Sequence, residues 1–109
     1  MDLNGYQQAA LRTAAPKEKH NELFQLLLGL VGETGEIAEK AKKIVRDKDS
    51  DFSQWDIEDL TKELGDTLWY LAVIADYFDV PLENVAQVNI AKLADRQSRS
   101  MLGGSGDNR

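Results

Sequence analysis

Residues 29–43 read GLVGETGEIAEKAKK, and this stretch decides the fold because it is helical in pattern yet carries acids where a helix buries leucine. At about 100° per residue, Glu33 and Glu36 share a face with Leu26, Leu30, Ile37 and Ile44. Ionised carboxylates rarely leave water unless paired or bound to a cation. Three glycines (Gly29, Gly32, Gly35) recur beside the acids, each costing a helix about 1 kcal/mol relative to alanine. Such a run suits close approach by another chain or a ligand, or tight helix packing.

Working outward, apolar spacing predicts four helices, near residues 2–14, 20–46, 56–79 and 81–100, and no strand. Leu3, Tyr6, Ala10 and Leu11 stripe the first, and Pro16 with the following KEKHN breaks it. Leu23, Leu26, Leu27, Leu30, Ile37 and Ile44 run along the second, and the polar RDKDSDFSQWD connects it onward. The third helix starts with acids suited to the positive end of a helix dipole and is apolar nearly all round: Leu60, Leu64, Leu68, Trp69, Leu71, Val73, Ile74, Phe78. So wide an apolar surface needs partners on several sides, more than one short chain supplies. A homodimer or homotetramer is therefore expected. Pro81 opens the fourth helix, with Leu82, Val85, Val88 and Leu93 expected to face inward. The fold class is all-α: a four-helix bundle protomer that completes its core by oligomerisation. One helical domain spans 1–101, and 102–109, ending in GGSGDNR, reads as a flexible tail.

Composition narrows the function. With 109 residues and 42% hydrophobic content, the chain can build one modest core. A net charge of −6 argues against broad binding to nucleic acid or anionic membranes. The absence of cysteine excludes disulfides and thiolate metal sites. The opening MDLNGYQQAALRTAA lacks the basic start and apolar run of a signal peptide, and no stretch reads as a membrane span. A cytoplasmic protein is expected.

The third helix repeats the oddity of the second. In KELGDTLWYL, Glu63 and Asp66 lie three apart, on one face with Leu60, Thr67, Tyr70 and Ile74. Two antiparallel helices then bring four acids to one seam, where they repel each other and lose water at a cost of several kcal/mol per ion. A divalent cation removes both penalties, and an all-oxygen ligand set suits Mg²⁺ or Mn²⁺. A single acid pair is more often a solvated face, and Glu22, Glu39 and Glu83 are read that way. Two pairs on successive helices, each within an apolar stripe, favour a metal site.

In sequence order, LLGLVGETGEIAEKAKK, ELGDTLWYLA and NIAKLADR resemble the blocks of the MazG-type all-α nucleoside triphosphate pyrophosphohydrolases. That family's motif of two glutamates three apart, then Glu-x-x-Asp, reads here Glu33-Thr-Gly-Glu36 and Glu63-Leu-Gly-Asp66. The likeness runs from about Leu3 to Met101. It implies that Glu33, Glu36, Glu63 and Asp66 hold Mg²⁺ against a triphosphate and that Asn89, Lys92 and Arg96 contact phosphate oxygens. Tyr70 would lie near the sugar or base, though among Leu60, Ile74 and Tyr77 it can equally be core. The implied reaction cleaves a nucleoside triphosphate to the monophosphate and pyrophosphate with metal-activated water, in nucleotide-pool house-cleaning. One carboxylate not saturated by metal would take the water's proton, and Glu33 is chosen for that role while the other acids stay open. Family members associate as dimers or dimers of dimers.

Three other readings compete. Asp47, Asp49, Asp51, Ser53, Trp55 and Glu58 match the ligand positions of an EF-hand loop over 47–58, but Phe52 stands where its sharp turn needs glycine. A di-iron carboxylate bundle needs two Glu-x-x-His motifs, and the one histidine, His20, lies outside the acid motifs. A non-catalytic helical oligomer would pair its acids with Lys40, Lys43 and Lys62. Base and sugar selectivity is left among Tyr6, Gln7, Thr13, His20, Trp55 and Tyr70.

Overall fold

The computed structural model describes residues 1–99. It contains four α-helices: α1 (Leu3–Leu11), α2 (Glu22–Asp47), α3 (Ile57–Tyr77) and α4 (Leu82–Ser98), with a 3-10 turn at Phe52–Gln54. No strand occurs among the described residues. The expected tail over 102–109 lies outside them.

Local chemistry sets the helix starts. The Asp2 carboxylate accepts from Gly5 N at 2.7 Å, and Asp56 accepts from Asp59 N at 3.2 Å, so an acid satisfies a free N–H at the head of α1 and of α3. At the far end of α2, Asp49 and Ser50 take positive φ values of 51° and 61°. Lys48 N and Ser50 N both donate to Ile44 O there, and the chain turns back toward α3.

Within one chain the four helices leave the core open. Among the described residues α2 lies against α3 and the 3-10 turn alone, while α4 packs on α1 and α3. The buried apolar set is correspondingly small: Ala10, Leu26, Ile44, Ala72, Val73 and Leu82. Of the fourth helix's expected inward residues, Leu82 alone is buried; Val85, Val88 and Leu93 are exposed. The reason is geometric. With α2 pushed out to one side, a single α3 face cannot cover both α2 and α4, and the remaining apolar faces stay open.

α1 ties α3 to α4 at their shared corner. Gln7 is 3% exposed. Its Nε2 donates to Ala72 O and Val80 O at 3.0 Å each, and its Oε1 accepts from Leu82 N at 3.0 Å. Asn4 Oδ1 accepts from Glu83 N at 3.0 Å. Pro81 supplies no side-chain cap to α4, so α1 caps that helix from outside. Sequence reasoning had kept Gln7 as a selectivity residue; all of its amide chemistry goes to the backbone instead.

Gln7→Ala should destabilise the chain by about 2–4 kcal/mol, because it leaves buried backbone groups unpaired. Denaturant titration measures this, and a loss below about 0.5 kcal/mol, the scale of a neutral surface change, would show that the corner holds without its clasp.

Candidate metal centre

α2 and α3 run antiparallel, in a register read from four contacts. Gly29 lies against Tyr70, Glu33 beside Asp66, Glu36 against Glu63, and Lys40 against Asp59. The seam residues Leu26 and Ile44 are buried, and Leu30, Ile37, Leu60 and Ile74 partly so. The apolar stripe therefore packs as its spacing predicts, and it carries the acids with it.

Glu33, Glu36 and Glu63 each offer one carboxylate oxygen, and the three oxygens lie within 4.8 Å of one another. Glu33 Oε2 and Glu63 Oε2 are buried and without a hydrogen-bond partner. Unpaired buried anionic oxygens are costly, and a set of hard oxygens at this spacing matches what a divalent cation takes. Asp66 stands just outside the trio. It is exposed, and with Glu33, Trp69 and Tyr70 it lines a cavity of about 290 Å³ beside the cluster.

The charges distort one another's titration. Glu33 is pushed above the ordinary glutamate range, first by loss of water and then by the charges of Glu36, Asp66 and Glu63. Glu63 moves the other way, chiefly because Lys40 donates to it. Lys40 Nζ bridges Asp59 Oδ2 at 2.6 Å and Glu63 Oε1 at 2.9 Å, which raises the lysine's own proton affinity. Glu63 is thus gripped by one oxygen and presents the other to the cluster. Tyr6 lies close enough to Asp66 for that charge, added to burial, to raise the phenol.

Two of the α4 residues, Asn89 and Lys92, line cavities away from this seam. Leu68 and Leu71 of α3 meet Val85, Ala86 and Asn89 of α4 around one cavity, on the α3 face roughly opposite the one that meets α2. Asn89 is exposed, Lys92 partly buried and Arg96 buried. Within one chain, then, Asn89 and Lys92 line cavities that contain none of the acids.

Other expectations sort as follows. In the EF-hand-like loop, Asp51 accepts from Ser53 and Gln54, and Asp47 is forked onto Arg46 at 2.8 Å, so these carboxylates are already engaged locally. The sole group of three or more converging acids among the described residues is Glu33, Glu36 and Glu63. Glu22, read as a surface acid, is buried. Of the three lysines weighed as counter-charges, Lys40 reaches the cluster, while Lys62 pairs with Glu58 at 3.7 Å. Sequence reasoning missed Asp59. Its signal was its place one turn before Glu63, where an antiparallel partner brings a residue one turn after Glu36. Thr13 accepts from Trp69 Nε1 at 2.8 Å, and His20 is exposed.

The model of the MazG nucleotide pyrophosphohydrolase domain family matches residues 21–100. Gene 37 protein of Mycobacterium phage L5 is 52% identical over 87 residues, which make up 80% of this chain and 76% of that protein. No solved structure matches.

The raised Glu33 titration has a signed consequence. A carboxyl that holds its proton more tightly when folded costs stability as pH rises through its folded pKa. Metal-free Glu33→Gln should therefore be more stable than the parent at pH 7, and the difference should vanish below about pH 4.5, the ordinary glutamate value. Thermal melts in chelator across pH measure this; a less stable variant at pH 7 would contradict the like-charge account.

Proposed function

The chain belongs to the MazG nucleotide pyrophosphohydrolase family, and from that premise we propose that it is a Mg²⁺-dependent hydrolase that cleaves nucleoside triphosphates to the monophosphate and pyrophosphate. The observation that carries this reading is the convergence of Glu33, Glu36 and Glu63 within 4.8 Å around buried oxygens that have no partner. Glu33, Glu36 and Glu63 hold the cation, with Asp66 at the cavity edge, and Mn²⁺ substitutes. When bound, the cation neutralises phosphate charge and acidifies water.

The chain's own groups supply the rest. Water attacks the α-phosphorus, the α–β bridging bond breaks, and pyrophosphate leaves. Glu33, whose proton affinity is raised, takes the proton that the water sheds. Lys40 keeps Glu63 oriented by its outer oxygen, as partners of metal ligands generally do. Tyr70 and Trp69 border the nucleoside.

The site also needs a second copy of the chain. Phe24, Leu28 and Val31 on the outer face of α2 are 67%, 69% and 68% exposed, and Gly35 continues that face with open space above it. So large an apolar stripe marks an interface. We assign it to a homodimer or a dimer of dimers, in which α4 of the neighbouring copy brings Asn89, Lys92 and Arg96 toward the phosphates. Clearing nucleotides from the pool is the role that fits such chemistry.

Incubated with ribo- and deoxynucleoside triphosphates, the protein should release pyrophosphate rather than orthophosphate, only when Mg²⁺ or Mn²⁺ is present, and Glu36→Gln should fall to background. Mixing Glu36→Gln with Lys92→Ala chains under subunit exchange should recover part of the activity, because each mixed dimer retains one intact site. Metal-independent release, or none across the panel, would contradict the reading, and failure of the mixture alone would contradict the shared site.

A further inference from the structure

Gly29 is unlike its neighbours in the glycine run. A Cβ built on Gly32 or Gly35 meets nothing within 4 Å. A Cβ on Gly29 would stand 2.6 Å from the Tyr70 hydroxyl and nearer still to Cζ and Cε1, inside the 3.0 Å that real Cβ contacts respect. The Tyr70 ring therefore lies against bare α2 backbone, where any side chain would displace it.

The ring has little freedom to yield. It meets Trp69 edge to face, with centroids 4.9 Å apart and planes at 86°. Trp69 is in turn fixed to α1, its Nε1 donating to Ala10 O at 3.2 Å and Thr13 Oγ1 at 2.8 Å. Both aromatic residues line the cavity whose other wall is Glu33 and Asp66. A ring pushed off Gly29 has Trp69 on one flank and the cavity on the other.

We infer that Gly29 is a positioning residue: its missing side chain seats Tyr70 and so keeps open the cavity beside the acid cluster for the nucleoside part of the substrate. This rests on the nucleotide reading above. The chemistry of the walls is consistent with it, since acids face the cation-bound phosphates on one side and aromatic surface accepts an uncharged ring system on the other. Gly29 touches no substrate and acts through Tyr70. It also explains why a costly helix-interior glycine sits at a partly buried position against its own chain.

The test measures binding by the full chain with three probes: α,β-methylene nucleoside triphosphates with Mg²⁺, inorganic tripolyphosphate with Mg²⁺, and Mn²⁺ alone. Gly29→Ala should weaken the nucleotide analogues about tenfold or more, the scale of one methyl group in a binding pocket. It should leave tripolyphosphate and Mn²⁺ unchanged. In a double-mutant cycle, Gly29→Ala combined with Tyr70→Ala should bind as Tyr70→Ala alone does, because the clash is gone. If Gly29→Ala does not fold, the double variant should fold, which reads the same contact. Nucleotide binding equal to the parent, equal losses for tripolyphosphate, additive losses in the cycle, or a double variant that also fails to fold each overturns the inference while the nucleotide reading stands. A parent chain that binds neither analogue nor tripolyphosphate overturns both.

Discussion

The antiparallel contact of α2 with α3 is the constraint from which the rest follows. Its apolar residues, Leu26 and Ile44 above all, fix the register, and that register forces Glu33, Glu36 and Glu63 together. The helices cannot have the packing without the repulsion. One lysine offsets part of it: Lys40 engages Glu63 and Asp59 and leaves the inner oxygens of Glu33 and Glu63 unpartnered. In a chain whose whole stability is of order 10 kcal/mol, an uncompensated acid cluster on the main helix pair is a heavy load. A bound cation turns that load into stabilisation, because binding to the folded state alone adds to its stability.

Much of this was legible in the sequence because it depends on periodicity. Two acids three apart on an apolar stripe, repeated on the next helix, can meet only at the helix–helix seam, and α3 follows α2 through a short turn that makes them antiparallel. The all-α class and the positions of the long helices follow from the same signal. Asp59 and Lys40 were less visible, since their pairing depends on register to within a single turn.

What periodicity does not encode was misread. Gln7 sits among polar residues in a short helix, and nothing local distinguishes an amide that faces solvent from one that clasps Ala72, Val80 and Leu82. The apolar faces of the helices say only that a cover is required, and they do not say which side of α3 each neighbour takes. In the chain α2 and α4 take roughly opposite sides of α3, so Val85, Val88 and Leu28 remain open. Gly29 was read together with Gly32 and Gly35, and only the ring of Tyr70 separates it from them.

The acid seam and the uncovered α2 face are what the proposed function asks of each chain: a half-site that a cation and a second copy would complete. The most direct measurement is a crystal structure grown with Mn²⁺, read for anomalous scattering. The account predicts a peak bounded by Glu33, Glu36 and Glu63. Density at the 47–58 loop instead, or an ion-free cluster at saturating Mn²⁺, would contradict it.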